Sequence, residues 1–292
     1  MAAPIARDLL KTTEDFFKSR GSHSPRTDAD LLLCEVLGIS RTSLYAMHLM
    51  RPLTQDEVDR YRELVKRRAK LEPIAYILGT KGFWKHDFAV DKRVLIPRPE
   101  TELLVEAATK ALAARKEEPL RIVDVGTGSG CIACSLALEF PQATVVAIDA
   151  SSDALEVATI NATTLGVRDR VKLVRGDLLA PLLARGSKAD LIVSNPPYIG
   201  TGERERMDDD VKLHEPAMAL FAGADGLDLM RRLVVEAAQL LEPGGYLFVE
   251  HGDLQGAATR ALAEAAGLEQ VTTKKDYSQL DRLLVARKAE AT

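Results

Sequence analysis

The sequence predicts an α/β fold: a mostly parallel sheet covered by helices on both faces, with a small helical region ahead of it. Three observations carry this. From about residue 101 onward, strand-like apolar runs alternate with helical stretches. Those runs are nearly continuous in Val, Ile, Leu and Ala, as strands buried on both faces are. The chain before residue 75 carries helical periodicity.

In that first region Ala29, Leu32, Leu33, Val36 and Leu37 follow the i, i+3, i+4, i+7, i+8 stripe of an amphipathic helix. Thr54 with Glu57 has the capping-box pattern, and Val58, Tyr61, Leu64 and Val65 continue an apolar face behind it. Lys66, Arg67, Arg68 and Lys70 read as a solvated basic end that complements the helix dipole. Next, two short apolar runs, 88–90 and 94–96, flank Asp91, Lys92 and Arg93, the pattern of a hairpin joining two regions. The order then runs helix 103–114, strand RIVDV, helix 131–139, strand TVVAID, helix 152–164, and strands VKLVRGD and DLIVSN. After a long polar insertion come a helix near 227–241, strand YLFVE, helix 254–266, and closing strands LEQVTTKK and RLLVAR. The DYSQLD link between the last two is too short for a parallel crossover, so they pair antiparallel. The domain reading is a helical region over 1–78, a hairpin linker over 79–100 and an α/β domain over 101–292.

Bulk properties narrow the function classes. With 46% hydrophobic and 28% charged residues, the chain is neither disordered nor fibrous. A formal net charge of −4 argues against broad, stable nucleic-acid binding, which needs a basic face. No apolar run reaches the length of a membrane span, and the first residues lack the apolar core of a signal peptide, so the expected location is cytoplasmic. Cys131 and Cys134 form a CxxC, but with no second pair and no nearby histidine; inside a helix they read as buried structural thiols. His23, His48, His86, His214 and His251 make no ligand spacing, so no metal is expected.

The chemistry lies at the strand ends. The first strand of the α/β region runs into VDVGTGSG, which places Asp124, Gly126, Thr127, Gly128, Ser129 and Gly130 at a sharp turn into a helix. The spacing is GxGxG, neither the dinucleotide GxGxxG nor a phosphate-binding P-loop. The second strand ends in Asp149, where a carboxylate can take two ribose hydroxyls, and the third in Asp177 and Leu178. Equipped in series, these ends point to a nucleoside ligand. The fourth runs into SNPPYIG: Pro196 and Pro197 cannot donate to a ladder, so Asn195 sits at a rigid exit poor in N–H groups, with Tyr198 beside it.

DVGTGSG, a strand ending in Asp, then GD, then NPPY resembles the class I S-adenosylmethionine-dependent methyltransferases, a Rossmann-like fold with a mostly parallel seven-stranded sheet and an antiparallel terminal strand. GxxFW, LIPRPETE, NPPYI, HEPAMALFAGADGL and EHGxxQ together resemble the PrmC/HemK family, glutamine methyltransferases of peptide-chain release factors. The resemblance implies S-adenosylmethionine as cofactor. It implies that residues 126–130 cradle its methionine part, Asp149 holds its ribose, and Leu178 lies against adenine, where some relatives carry an aromatic residue. It also implies a protein partner presenting the glutamine of a Gly-Gly-Gln loop, with Glu100, Thr101, His214, Glu215 and Pro216 shaping the rim of its pocket. In DYSQLDR this sequence departs from relatives that tend to have a glycine there.

NPPY suits an amide nitrogen. A carboxamide lone pair is delocalised, so methylating it requires both N–H bonds to be held by acceptors while the lone pair turns to the electrophile. The Asn195 side-chain carbonyl and the Pro196 backbone carbonyl are such acceptors, the prolines remove competing donors, and the Tyr198 ring can lie on the planar amide. The exocyclic amine of adenine is also a planar conjugated NH₂, but flipping it from DNA needs a basic face this chain lacks. Glutamine methylation of a ribosomal protein is the nearer alternative. A non-catalytic binding module is the third, and the intact Gly126, Gly128, Gly130, Asp149 and NPPY argue against it.

Overall fold

Where strand order reverses in an open α/β sheet, neighbouring loops diverge and leave a crevice at the strand ends. The computed structural model, which describes residues 3–290, has this architecture; residues 1–2 and 291–292 of the two expected end domains lie outside the described residues. Its main sheet comprises β3 (Arg121–Val125), β4 (Thr144–Asp149), β5 (Val171–Arg175), β6 (Ala189–Ser194), β7 (Leu241–Glu250), β8 (Leu268–Lys275) and β9 (Asp281–Lys288). The spatial order is β5-β4-β3-β6-β7-β9-β8. From β5 to β7 every pairing is parallel, and β9 runs antiparallel between β7 and β8. The chain winds one way through β3, β4 and β5 and the other way through β6 and β7. The switch point therefore falls between β3 and β6, whose exits are the glycine loop and NPPY.

Side-chain alternation builds a core on each face. Ile122, Val145, Ala147, Leu191 and Val193 join one apolar cluster, and Val123, Val125, Ile148, Ile192 and Leu247 the other. Helices Cys131–Glu139 and Ser152–Thr164 have the expected bounds, the second capped by Ser151 Oγ, which accepts from the Ala154 amide at 3.2 Å. Cys131 and Cys134 are buried in the first cluster, where burial pushes the Cys134 thiol up to about 12.

The described residues form two compact units, residues 3–79 with 208–214, and 80–207 with 215–290. In the first, helices Ala6–Ser19, Pro25–Leu37 and Gln55–Arg68 close on Phe17, Leu32, Leu33, Leu44 and Tyr61. The capping box forms as the sequence indicates: Thr54 Oγ1 accepts from the Glu57 amide, and Glu57 Oε2 from the Thr54 amide at 2.8 Å. The basic helix end differs at one residue. Arg68 is not solvated; its side chain is 11% exposed and its Nε donates to Asp28 Oδ2 at 2.8 Å.

The hairpin also differs from expectation. Its strands are β1 (Thr80–Phe83) and β2 (His86–Ala89), joined by Trp84 and Lys85, with Trp84 at φ 56°. The run 94–96 is not a strand. Asp91 Oδ1 accepts from the Arg93 amide and the Asp91 carbonyl from the Val94 amide, closing a tight turn, and Pro97 and Pro99 then remove ladder donors. Asn161 ties this segment to the glycine loop. Its Oδ1 accepts from the Ala89 amide at 2.7 Å, and its Nδ2 donates to the Ala89 and Ser129 carbonyls at 3.0 and 2.8 Å.

Replacing Asn161 by Ala leaves those backbone groups unpaired in a buried site, each costing about 1–3 kcal/mol. Urea unfolding of Asn161→Ala is expected to show a loss of at least about 2 kcal/mol with little change in slope.

Candidate active site at the switch point

The glycine loop is pinned onto the end of β4: the Gly126 and Thr127 amides both donate to the Ile148 carbonyl. Gly126 and Gly128 have φ of 71° and 54°, and a Cβ on Gly126 would sit 4.0 Å from the Asn195 backbone carbonyl, so the two loops meet there. Asp149 braces the turn with both oxygens, Oδ2 accepting from the Gly128 amide and Oδ1 from the Ser151 amide, each at 2.9 Å.

A cavity of about 270 Å³ opens between these loops, lined by Gly126, Gly128, Ile148, Asp149, Asp177, Leu178, Asn195, Pro196, Pro197, Pro216, Met218 and Leu229 among others. The remaining residues of the glycine segment lie behind the wall. Thr127 Oγ1 donates to Asp124 Oδ2 at 2.6 Å, the Ala133 amide donates to the same oxygen, Ser129 is buried, and Gly130 packs on Ala158. Burial pushes Asp124 up to about 7 against those two hydrogen bonds, and its Oδ1 has no partner among the described residues. Asp177 pairs with Arg232 at 2.7 Å. Leu178, at φ 46°, is held in the turn by its neighbour Leu179, whose amide donates to Glu236 Oε2.

NPPY is held from outside. Ser194 Oγ donates to the Val125 carbonyl at 2.7 Å, and Asn195 Nδ2 to Thr101 Oγ1 at 3.0 Å. Gln255 Nε2 donates to the Tyr198 carbonyl at 2.9 Å. Beyond it, the Ile199 amide donates to the Leu220 carbonyl and the Ala222 amide to the Ile199 carbonyl, a parallel bridge to the HEPAMALFAG segment. Among the described residues, none donates to Asn195 Oδ1 or to the Pro196 carbonyl. The Tyr198 hydroxyl donates to Glu250 Oε1 at 3.3 Å, and burial pushes the phenol up so that it stays a donor.

Of the expected rim, Pro216 lines the cavity and Thr101 is buried beneath Asn195. Glu215 is buried: Arg98 Nη2 donates to its Oε1 at 2.5 Å, and the Ile96 amide to its Oε2 at 3.3 Å. It clasps LIPRP to the segment before Pro216, so its carboxylate is an internal tie, and Glu100 does not reach the cavity wall. His214 belongs to the helical unit, where its Nε2 meets the Lys70 carbonyl. Sequence reasoning gave no role to Glu250, Gln255, Asn161 or Arg98. Glu250 and Gln255 sit in EHGxxQ, which marked them without saying what they touch.

The family model of the PrmC N-terminal domain matches residues 8–79, and that of a methyltransferase domain residues 116–287. The chain is 43% identical over 281 residues to the release factor glutamine methyltransferase of Chlorobaculum tepidum, covering 94% of each. The chain belongs to the release factor glutamine methyltransferases. The Salmonella typhimurium enzyme of that name is 40% identical over 268 residues, covering 92% of this chain and 94% of that one. The hMettl16 catalytic domain superposes with a TM-score of 0.56 at 16% identity, covering 82% of this chain and 83% of that one. A 16S rRNA guanine-N2 methyltransferase of Thermus thermophilus, in complex with AdoMet and guanosine, gives 0.53 at 20%, covering 72% and 49%. Both likenesses are of fold: a class I methyltransferase sheet with one reversed strand, accompanied here by an amino-terminal helical region. Among the described residues no helix is long and apolar enough to cross a membrane, and no cluster of His, Cys, Asp and Glu is arranged for a metal ion.

Asp124 sets a pH test. Its folded pKa lies above the ordinary carboxylate value near 3.9, so the folded state keeps a proton that the unfolded state loses, and stability falls as pH rises from about 4 to 7. Asn at 124 removes that dependence. Melting of Asp124→Asn and wild type across pH 4–8 is expected to diverge in the variant's favour up to about pH 7 and then run parallel.

Proposed function

We propose that this chain transfers a methyl group from S-adenosylmethionine to the side-chain N5 of the glutamine in the Gly-Gly-Gln loop of a peptide-chain release factor. Family membership supports the reaction, and one feature of this molecule carries it: Asn195 gives its Nδ2 to Thr101, so that its carbonyl is left for a ligand beside a cavity walled by Gly126, Gly128 and Asp149.

The cavity fits the cofactor. Two glycines at positive φ bring backbone close to a ligand, the Asp149 carboxylate lies at the wall, and Ile148 and Leu178 offer apolar faces to a base. When bound, S-adenosylmethionine supplies an electrophilic sulfonium methyl. Gly126 and Gly128 flank its amino-acid part, with Asp124, Thr127, Ser129 and Gly130 stiffening the loop behind them. Asp149 takes ribose hydroxyls with lone pairs beyond those used by the Gly128 and Ser151 amides. Asp177 and Leu178 close the nucleoside end. Asn195 Oδ1 and the Pro196 carbonyl accept the two N–H groups of the substrate amide, Pro197 stiffens the loop, and the Tyr198 ring bounds the planar amide. The amide is thus held with its lone pair free, and positioning supplies much of the rate. Pro216 shapes the mouth, with Thr101, Glu215 and Glu100 acting behind it.

The helical region over 1–78 and the hairpin grip the body of the release factor. The enzyme works in the cytoplasm, where termination takes place, with no metal and no stable nucleic-acid partner.

Incubating a purified release factor with the chain and S-adenosylmethionine, then mapping the product by mass spectrometry, tests this. One methyl on the Gly-Gly-Gln glutamine is expected. Asn195→Ala is expected to lower turnover at least about 100-fold while cofactor affinity stays within a few fold. Methyl on a ribosomal protein instead, or unchanged turnover in the variant, would contradict the reading.

A further inference from the structure

Tyr198 is held by two side chains that the transfer described above does not use, and both belong to the segment EHGDLQ that leaves β7 at Glu250. Gln255 holds its backbone. Gln255 Nε2 donates to the Tyr198 carbonyl at 2.9 Å and to the Asp225 carbonyl at 3.1 Å, while Oε1 accepts from the Gly252 amide at 2.9 Å. These three backbone partners dictate which way the carboxamide faces, since a flipped amide would set its oxygen against two carbonyls and its NH₂ against an N–H. The approach is close: a Cβ on Gly226, at φ 73°, would stand 2.0 Å from the Tyr198 carbonyl oxygen and 2.7 Å from Gln255 Nε2. Only glycine lets the turn after Asp225 pass there. That turn is fastened on its other side, where Asp225 Oδ1 accepts from the Leu227 amide at 3.1 Å and Arg231 pairs with the carboxylate at 2.5 Å.

Glu250 holds the far end of the same residue. It is 2% exposed, and its Oε1 accepts from the Tyr198 hydroxyl at 3.3 Å. The ring thus spans two ties, one at the backbone and one at the hydroxyl, and neither Gln255 nor Glu250 lines the cavity. We propose that Gln255 and Glu250 are positioning residues for the transfer, acting through Tyr198: Gln255 fixes the backbone from which the ring projects, and Glu250 fixes the tilt of the ring against which the substrate amide lies. This rests on the place given to that ring in the proposed function.

The test is methyl transfer to a release factor by wild type and variants, with cofactor Kd and Tm measured alongside. Gln255→Glu keeps the shape but turns an oxygen toward two carbonyls; it is expected to lower kcat about 10- to 100-fold, with cofactor Kd within about threefold. Tyr198→Phe and Glu250→Leu each delete the hydroxyl tie and are expected to lower kcat at least about fivefold. Glu250→Gln, whose carbonyl still accepts from the hydroxyl, is expected to stay within about threefold of wild type. The decisive readout is the double variant: with the Tyr198 hydroxyl already gone, Glu250→Leu is expected to cost less than about twofold more. Wild-type kcat in Gln255→Glu or in Tyr198→Phe would overturn the proposal, and so would losses in Glu250→Leu and Tyr198→Phe that multiply. Parallel losses of kcat, cofactor affinity and Tm would overturn it too, making these residues scaffold only. Should Gln255→Glu fail to fold, Gln255→Met removes the same two bonds without a charge and is judged by the same loss. Should Glu250→Leu fail to fold, Tyr198→Phe cuts the same tie from its other end. A wild-type chain that methylates no glutamine would refute the proposed function, whereas an active wild type with unaffected variants refutes this inference alone.

Discussion

Two consecutive prolines leave the Asn195 loop almost without donors of its own, and the rest of the site is arranged around holding that loop from outside. A backbone that cannot tie itself down must borrow partners, because an unanchored loop would not keep two carbonyls in place. Ser194 reaches across to β3, Thr101 takes the Asn195 amide, Gln255 takes the Tyr198 carbonyl, and the Ile199 segment pairs with residues 220–222. These four ties come from separated parts of the chain. They meet because β6 lies between β3 and β7 in the sheet.

The same switch point sets the electrostatics. Both buried carboxyls with raised pKa values, Asp124 and Glu250, belong to strands flanking or forming it, and each backs a ligand-facing loop. Asp124 stiffens the glycine loop through Thr127, and Glu250 meets the Tyr198 hydroxyl behind NPPY. Keeping such groups dry costs stability, but it places polar anchors where solvent would otherwise compete for them. At the cavity wall, by contrast, half-buried Asp149 is braced by two amides and has further lone pairs to offer.

Much of this is legible in the sequence because it depends on local rules. Strands buried on both faces read as apolar runs, so RIVDV and TVVAID mark strands 121–125 and 144–149 with the bounds they have, and Thr54 with Glu57 caps its helix as written. What sequence could not supply were pairings over long separations. Arg68 looks like one more basic residue at a helix end until Asp28 is brought against it. Glu215 sits in a motif suggestive of a pocket rim, yet Arg98, far away in the chain, draws it inside. The hairpin lies earlier in the chain than apolar content suggests, because turn geometry decides its place. Trp84 at positive φ makes the tight turn, while Pro97 and Pro99 close off the run that looked like a strand.

In the proposed transfer, two fixed acceptors hold two N–H groups of a primary amide. A secondary amide, the product, has only one N–H to offer. The most direct measurement is an intact-mass time course on a release factor with cofactor in large excess and fresh enzyme added. A plateau at one methyl on the glutamine is expected, however long the incubation. A second methyl accumulating on the same nitrogen would contradict it, since the amide would then be methylated without the two-point hold.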